Sequence, residues 1–307
     1  MAMNSLSAQW LSRPGIELGV YEKALRDPGN DWNAFFASAV QAGYSFVDLS
    51  IDETPGRLSR LAWTGPERRT VVAAAEREGS RIAGLCLSAH RRIALASKEP
   101  QRRDQALSIL LAGIDLCVDL GVPVLQIAGY FAFYEQPDPQ ARSRYLAGLA
   151  AGTNYAARRG IQLGIENVDG EDVTSISAAL EIADRIGSPW LQSYPDIGNL
   201  SEQGLDVVAE LRRGQGRMLA LHVKDTLPGQ PRRVPMGSGA VPWDSAFAEL
   251  KRQNWSGRIM VEMWNDNAPD ANRAATEAGA FISRKLADAG LPVIPAPGRQ
   301  TTEGATG

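Results

Sequence analysis

Short apolar runs alternate along this chain with longer segments that have helical periodicity. Their spacing of roughly 27 to 40 residues is the length of one strand–helix unit. The apolar runs begin near Ile16, Phe46, Ile82, Val122, Ile161, Leu191, Met218 and Arg258. Eight such units predict an α/β fold in which the strands close into a (β/α)8 barrel, the TIM barrel.

The segments between these runs have the pattern of amphipathic helices. In one of them, Trp32, Phe35, Phe36, Ala39 and Val40 fall at i, i+3, i+4, i+7 and i+8, which places them on one face. Several segments end at a glycine, which closes a helix in the left-handed conformation without steric cost: Gly43, Gly79, Gly121, Gly160 and Gly187.

An open doubly wound sheet is the alternative fold for this alternation. That fold usually has a glycine-rich phosphate fingerprint after its first strand. Residues 19–25, with the sequence GVYEKAL, lack the fingerprint. The barrel is therefore the favoured interpretation.

Composition excludes several classes of protein. The chain has 307 residues, of which 44% are hydrophobic, so it can bury a large core. Its 32 basic and 35 acidic residues argue against a nucleic-acid-binding protein, and its two cysteines exclude a disulfide scaffold. No apolar run approaches the roughly 18 residues of a membrane span. We expect a reduced, cytoplasmic protein with no nucleic-acid or membrane partner.

The same patterns divide the chain into three parts. We expect residues 1–14 to be an N-terminal extension rather than a signal peptide, because they lack an apolar core. Residues 15–290 contain all eight units and are predicted to form a single catalytic barrel. Residues 291–307 are rich in Gly, Pro and Thr, and we expect them to be a disordered tail.

Ionisable residues close four consecutive predicted strands, where barrel enzymes place their active sites. Glu166 closes the fifth strand, Asp196 the sixth, His222 the seventh and Glu262 the eighth. One such carboxylate is usually a helix cap or an ion-pair partner. Four suitable groups on successive strands instead favour a metal site.

The alternation of side chains along each strand agrees with this interpretation. If Glu166 points into the barrel, Leu163 and Ile165 face the helices; if His222 points inwards, Leu219 and Leu221 face outwards. Converging buried carboxylates repel one another unless a cation binds them. Three carboxylates and one imidazole suit one divalent ion, Mn²⁺, Mg²⁺, Co²⁺ or Zn²⁺, without choosing among them.

Such a site can epimerise a ketose. A cation on adjacent oxygens of the sugar acidifies the neighbouring C–H and stabilises an enediolate. Glu166 and Glu262 would then be an acid/base pair, in which one removes the proton and the other returns one to the opposite face.

Five other residues are candidates for substrate binding. His90 and Arg91 follow the third strand and could hold a phosphate or a sugar hydroxyl, although a solvated basic loop explains either one equally well. Lys224 follows His222 by two residues, Glu53 lies after the second strand, and Arg232 lies in a loop after the seventh. Late loops of barrels commonly bind phosphate.

Taken together, eight motifs resemble those of a known family. They are GVYEKAL, CLSAHRR, QIAGYFAFYE, GIENVD, YPDIGNL, LHVKDTLPG, RVPMGSG and MVEMWN. The ordered set, between about Gly15 and Gly290, resembles the bacterial L-ribulose-5-phosphate or L-xylulose-5-phosphate 3-epimerases. Some members are called hexulose-6-phosphate isomerases, and all belong to the xylose-isomerase-like sugar phosphate isomerase/epimerase superfamily.

The resemblance implies a (β/α)8 barrel, one divalent metal ion and 3-epimerisation of a pentulose phosphate. It places the metal ligands at Glu166, Asp196, His222 and Glu262, and it implies a homo-oligomer, a dimer or a tetramer. Two substrate loops depart from the family pattern. This chain has RRVPMGSG where the family usually has RDVPFGEG, and it has HRRIALAS where the family has HRRFPFGS. These departures leave open the exact sugar and whether it is phosphorylated.

Three other functions fit parts of the pattern. An aldose–ketose isomerase, or an epimerase of a non-phosphorylated ketose, would use the same enediolate chemistry. A non-catalytic sugar-binding barrel would share the fold. The related DNA-repair endonucleases need several metal ions and many histidines. This chain has only two histidines, which argues against that function.

Overall fold

The computed structural model describes residues 15–265 and 268–295. Eleven strands lie within these residues: β1 Ile16–Tyr21, β2 Phe46–Ile51, β3 Ile82–Leu87, β4 Val124–Ala128, β5 Gln162–Glu166, β6 Leu191–Ser193, β7 Leu221–Val223, β8 Asp225–Leu227, β9 Gln230–Val234, β10 Gly257–Val261 and β11 Val293–Ile294.

Ten α-helices lie within the same residues: α1 Trp32–Gln41, α2 Pro55–Leu58, α3 Gly65–Arg77, α4 Pro100–Leu120, α5 Ala141–Arg159, α6 Ile176–Ile186, α7 Ile197–Glu202, α8 Val207–Arg213, α9 Trp243–Arg252 and α10 Ala271–Asp288. None of these helices has the length and hydropathy of a membrane span. Two of the longest, α4 and α5, end at Gly121 and Gly160, whose φ angles of 69° and 71° confirm the predicted left-handed closures.

Eight parallel strands form the barrel. Their order is β6-β5-β4-β3-β2-β1-β10-β7. Two isolated parallel bridges, Ser193 to Met218 and Asp196 to His222, join β6 to β7 and close the ring. The predicted (β/α)8 barrel is confirmed. Strands β8 and β9 form a separate antiparallel hairpin directly after β7, which the spacing of apolar runs did not predict.

The main core lies between the barrel and its helices. Leu163, Ile165 and Leu221 are buried in it, as the alternation of side chains predicted. Leu219 is an exception, because it packs with Tyr194 and the other residues of a small cluster separate from this core. The predicted outward orientation of Leu219 is wrong, since regular pairing in β7 begins only at Leu221 and the alternation does not extend back to residue 219.

The predicted tail differs from the structure at residues 291–295. Val293 and Ile294 pair with Ile16 and Glu17 in β1, and the Ile16 amide donates to the Pro292 carbonyl over 2.7 Å. Strand β2 pairs with β1 only from Gly19 onwards, so the first residues of β1 have a free edge that β11 fills. Residues 1–14 and 296–307, which include the predicted extension and most of the predicted tail, lie outside the described residues.

Candidate metal centre and active site

The four ionisable residues from the strand ends lie together in the barrel. Glu166 is the last residue of β5, His222 lies in β7, and Glu262 directly follows β10. Asp196 precedes α7 and caps its first turn. One ligand atom from each of the four lies within 4.8 Å of the others, and all four residues are buried.

The side chains of this cluster form pairs of opposite charge with one another and with Lys224. His222 Nδ1 lies 2.7 Å from Glu166 Oε1 and 4.0 Å from Glu262 Oε1. Lys224 Nζ lies 2.7 Å from Asp196 Oδ2 and 3.2 Å from Glu262 Oε2. Lys224 is itself buried, so it supplies a fixed positive charge to a group of three carboxylates.

Local backbone structure orients Asp196. Its Oδ1 accepts from the backbone amides of Gly198 and Asn199 over 2.7 and 3.2 Å, as a helix cap does. The side chain of Asn167 bonds both the carbonyl and the amide of Asp196. These bonds occupy one carboxylate oxygen of Asp196 and direct the other, Oδ2, towards Lys224.

The pKa shifts at the site report crowding of negative charge. Burial opposes charge on the His222 imidazole, but Glu166, with Glu262 and Asp196, outweighs this effect and raises its pKa to about 9. Burial raises the pKa of Asp196 more than Lys224 lowers it, and Glu262 and Glu166 reinforce the rise. Burial also acts to raise the pKa of Glu262, but Lys224 and His222 hold it below its ordinary value.

This donor set fits one divalent metal ion. Oxygen atoms from three carboxylates and one imidazole nitrogen are the ligands of borderline and hard divalent cations. His222 Nδ1 lies 2.7 Å from Glu166 and 4.0 Å from Glu262, so it is the imidazole nitrogen that faces the carboxylate ligands. Burial, together with Glu262 and Glu166, raises the pKa of Asp196, so a bound cation would stabilise its ionised form. These residues can hold a metal, but they do not identify it.

A cavity at the mouth of the barrel leads to this cluster. Three of the five predicted substrate-binding residues line it, namely Arg91, Lys224 and Arg232. Arg232 projects from β9 and lies 2.6 Å from Asp169 Oδ2, and its guanidinium also donates to the Tyr130 hydroxyl over 3.1 Å.

Arg91 differs from the other cations in the cavity wall. Its guanidinium packs on the rings of Tyr130 and Phe133, with centroid distances of 5.2 and 5.4 Å. Among the described residues, no carboxylate oxygen lies within ion-pairing distance of Arg91, and its buried Nε has no hydrogen-bond partner. Arg91 therefore presents positive charge to the cavity without a carboxylate at contact distance, and Tyr130 and the more distant Asp169 favour this charge.

The other two predicted substrate-binding residues lie outside the cavity lining. His90 is buried, and its Nε2 lies 3.0 Å from the Ala106 carbonyl of α4. Glu53 accepts from the Tyr134 hydroxyl over 3.2 Å and faces Arg92. A histidine next to two arginines has the same sequence pattern whether its ring faces a ligand or the core.

Several polar residues of the cavity wall were not predicted from the sequence. Gln126 lies on β4 and donates from Nε2 to Glu166 Oε2 over 2.5 Å. Asn199 lies in α7 and also lines the cavity. A signal for Gln126 was present, because it is the only polar residue of its strand, VLQIA. Gln126 was missed because the prediction considered only ionisable residues at the ends of strands, and Gln126 lies in the middle of its strand.

The chain belongs to the family described as the xylose isomerase-like TIM barrel, whose model matches residues 36–285. A protein of Salmonella paratyphi C (strain RKS4594), called L-ribulose-5-phosphate 3-epimerase UlaE, is 40% identical over 276 residues, which cover 90% of this chain and 97% of that protein. The protein of the same name from Salmonella choleraesuis (strain SC-B67) matches equally well. These relatives confirm the resemblance seen in the motifs, and the chain is an isomerase-class enzyme.

Solved structures show the same fold. D-psicose 3-epimerase from Clostridium cellulolyticum H10 with D-tagatose superposes with a TM-score of 0.74 at 12% identity, covering 88% of this chain and 99% of that one. A structure of L-ribulose 3-epimerase has a TM-score of 0.74 at 18% identity, covering 89% of this chain and 95% of that one.

Proposed function

We propose that this enzyme interconverts L-ribulose 5-phosphate and L-xylulose 5-phosphate by epimerisation at C3. The relatives named for this epimerase, which cover nine-tenths of the chain, support the substrate. The observation that carries the chemistry is that Glu166 and Glu262 both approach the same imidazole nitrogen of His222, at 2.7 and 4.0 Å. Two glutamates that converge on one metal-ligand position can face a bound sugar from two directions.

The metal would be held by Glu166, Asp196, His222 and Glu262. When bound, a divalent cation would polarise the ketose oxygens and acidify the C3 hydrogen. One of the two glutamates takes this proton, and the other returns a proton to the opposite face of the enediolate. The pKa of Glu262 is lowered mainly by Lys224, against the effect of burial, so this carboxylate is ionised at neutral pH.

The cationic side of the cavity suits the phosphate group. Arg91, Arg232 and Lys224 line the cavity, and Arg91 has no carboxylate partner at contact distance among the described residues. Arginine binds phosphate oxygens through paired N–H groups. We assign Arg91 and Arg232 to the phosphate end of the substrate. Lys224 acts nearer the reacting carbons, because it contacts Asp196 and Glu262.

Exchange with solvent deuterium tests the proposal. Purified enzyme with added Mn²⁺ is incubated with L-ribulose 5-phosphate in D₂O, and the products are followed by NMR. We expect L-xylulose 5-phosphate with deuterium at C3, and no activity after exhaustive chelation until the metal is restored. Deuterium at C1 would instead indicate an aldose–ketose isomerase. Equal turnover of the free pentulose would refute the assignment of a phosphorylated substrate.

The homo-oligomeric state and the absence of a nucleic-acid partner stay predictions, as does the cytoplasmic location.

A further inference from the structure

Two buried amide oxygens in the cavity wall have no hydrogen-bond donor. They are Gln126 Oε1 and Asn199 Oδ1, and within residues 15–265 and 268–295 neither has a partner. Both residues line the cavity and are only 2% and 3% exposed. Buried carbonyl oxygens are almost always hydrogen-bonded in folded proteins, so each of these two calls for an explanation.

The orientation of both amides follows from their other contacts. Gln126 Nε2 donates to the Glu166 carboxylate over 2.5 Å, and Asn199 Nδ2 donates to the Asn167 carbonyl over 2.8 Å. A carboxylate and a carbonyl only accept hydrogen bonds here, so the amide nitrogen must face each of them. The oxygen of each side chain is therefore left as an acceptor.

The surroundings restrict what can satisfy these two oxygens. The neighbouring side chains Glu166, Asp196 and Glu262 are acceptors, and the nearby ammonium of Lys224 already pairs with two of them. A phosphate dianion or a carboxylate would repel an amide oxygen. A hydroxyl group can donate to it, so the complementary ligand carries hydroxyl groups close to the metal-binding cluster.

Both Gln126 and Asn199 are hydrogen-bonded to members of this cluster. Gln126 bonds Glu166 directly, and the backbone amide of Asn199 bonds Asp196 Oδ1 over 3.2 Å. The hydroxyls that would donate to these two oxygens are therefore those close to the metal-binding cluster, beside the reacting carbons.

We infer that Gln126 and Asn199 are specificity-determining residues, whose amide oxygens each accept a hydrogen bond from a hydroxyl of the ketose substrate. This inference rests on the proposed function and extends it. Loss of one hydroxyl leaves a buried oxygen without a donor, which is why sites built in this way reject deoxy analogues. Gln126 is in addition a positioning residue for Glu166.

A comparison of substrates with variants tests the inference. L-ribulose 5-phosphate is compared with its 1-deoxy and 4-deoxy analogues, using the wild-type enzyme and the isosteric variants Gln126→Met and Asn199→Leu. We expect the wild type to prefer the complete sugar over at least one analogue by about 10- to 100-fold in kcat/KM. In the matching variant this preference should fall to less than about threefold.

The ratio of the two substrates separates recognition from structural damage. Gln126→Met also releases Glu166 and lowers kcat for every substrate, but that effect cancels in the ratio. Asn167→Ala is the matched control, because Asn167 is a buried amide that holds Asp196 and lies outside the cavity lining. It should lower both rates equally and leave the preference intact.

The same ratios are measured for binding by titration calorimetry, which does not need turnover. Equal discrimination in the wild type and both variants would overturn the inference and leave the proposed function standing. Binding that discriminates as expected, with no epimerisation of any ketose, would instead refute the proposed function.

Discussion

The ammonium group of Lys224 lies 2.7 Å from Asp196 Oδ2, an oxygen of the candidate metal-ligand set, and both residues are buried. Lys224 also contacts Glu262, so one lysine pairs with two of the four candidate ligands. Together with a divalent cation, it would neutralise the three carboxylates of the cluster. Lysine and metal therefore attract the same carboxylates and repel each other.

This relationship predicts that Lys224→Met binds divalent metal more tightly than the wild type. Two unit charges 4 Å apart interact by about 4 kcal/mol at the effective dielectric constant of a protein surface. Even a third of this energy corresponds to about a tenfold change in affinity. We expect a gain of at least about tenfold for Mn²⁺, measured by competition with a chelator. The metal-free variant should also unfold at a lower temperature, because Asp196 and Glu262 lose the buried ammonium with which they pair.

Lys285→Met is the matched control for this measurement. Lys285 also pairs with a carboxylate, that of Asp244, but this pair lies on the surface, and its removal should leave metal affinity unchanged. Weaker metal binding by Lys224→Met would show that the lysine orients the ligands rather than competing with the metal.

The assignment of Glu166 and Glu262 predicts the effect of removing either carboxylate. General acid/base groups contribute about 10² to 10⁴ in rate, so Glu166→Gln and Glu262→Gln should each lower kcat by at least about 10²-fold. Metal content is measured on the same samples, because each glutamate is also a candidate ligand. Glu277→Gln, on the exposed face of α10, is the control. Near-normal turnover in either active-site variant, with metal bound, contradicts the assignment.

The role of Arg91 at the phosphate end predicts a loss that depends on the substrate. Arg91→Met removes the cavity cation that has no carboxylate at contact distance among the described residues. It should raise KM for L-ribulose 5-phosphate at least about tenfold and change KM for free L-ribulose little. Arg92→Met is the control, since Arg92 is the neighbouring exposed arginine, near Glu53. A similar change in KM for both sugars would place the phosphate elsewhere.

Features that repeat along the chain were predictable from the sequence. The eight apolar runs identified the eight barrel strands, and β1, β2, β3 and β6 begin at the predicted residues. The four candidate metal ligands were found because parallel strands bring their carboxyl ends to one rim. For such residues the topology decides the position, and the topology follows from the repeated pattern.

Features that depend on individual contacts were not predictable. The short strand β11 pairs with β1 only because β2 starts later along β1, and this register is not visible in the composition of residues 291–295. His90 and Arg91 are adjacent, yet one is buried against α4 and the other lines the cavity. Gln126 is a single polar residue in an apolar strand, and its role follows from its contact with Glu166.

Burial of His90 predicts a specific dependence of stability on pH. Burial lowers the pKa of His90 to about 4, although its hydrogen bond to Ala106 acts in the opposite direction. The unfolded chain takes up this proton near pH 6.5, whereas the folded protein does so only near pH 4. The folded state is therefore favoured at pH 7 and above, and this contribution is lost as the pH falls from 6.5 to 4.

Urea unfolding of the wild type and His90→Gln at pH 7.5 and pH 5.0 measures this contribution. Glutamine can still donate to the Ala106 carbonyl and does not titrate. The linkage relation predicts that the wild type loses about 2 kcal/mol more than the variant between these two pH values. Other titrating groups are common to both proteins and cancel in the difference. Equal losses in the two proteins would mean that His90 takes up its proton without unfolding, and would place its ring in contact with solvent rather than in the core.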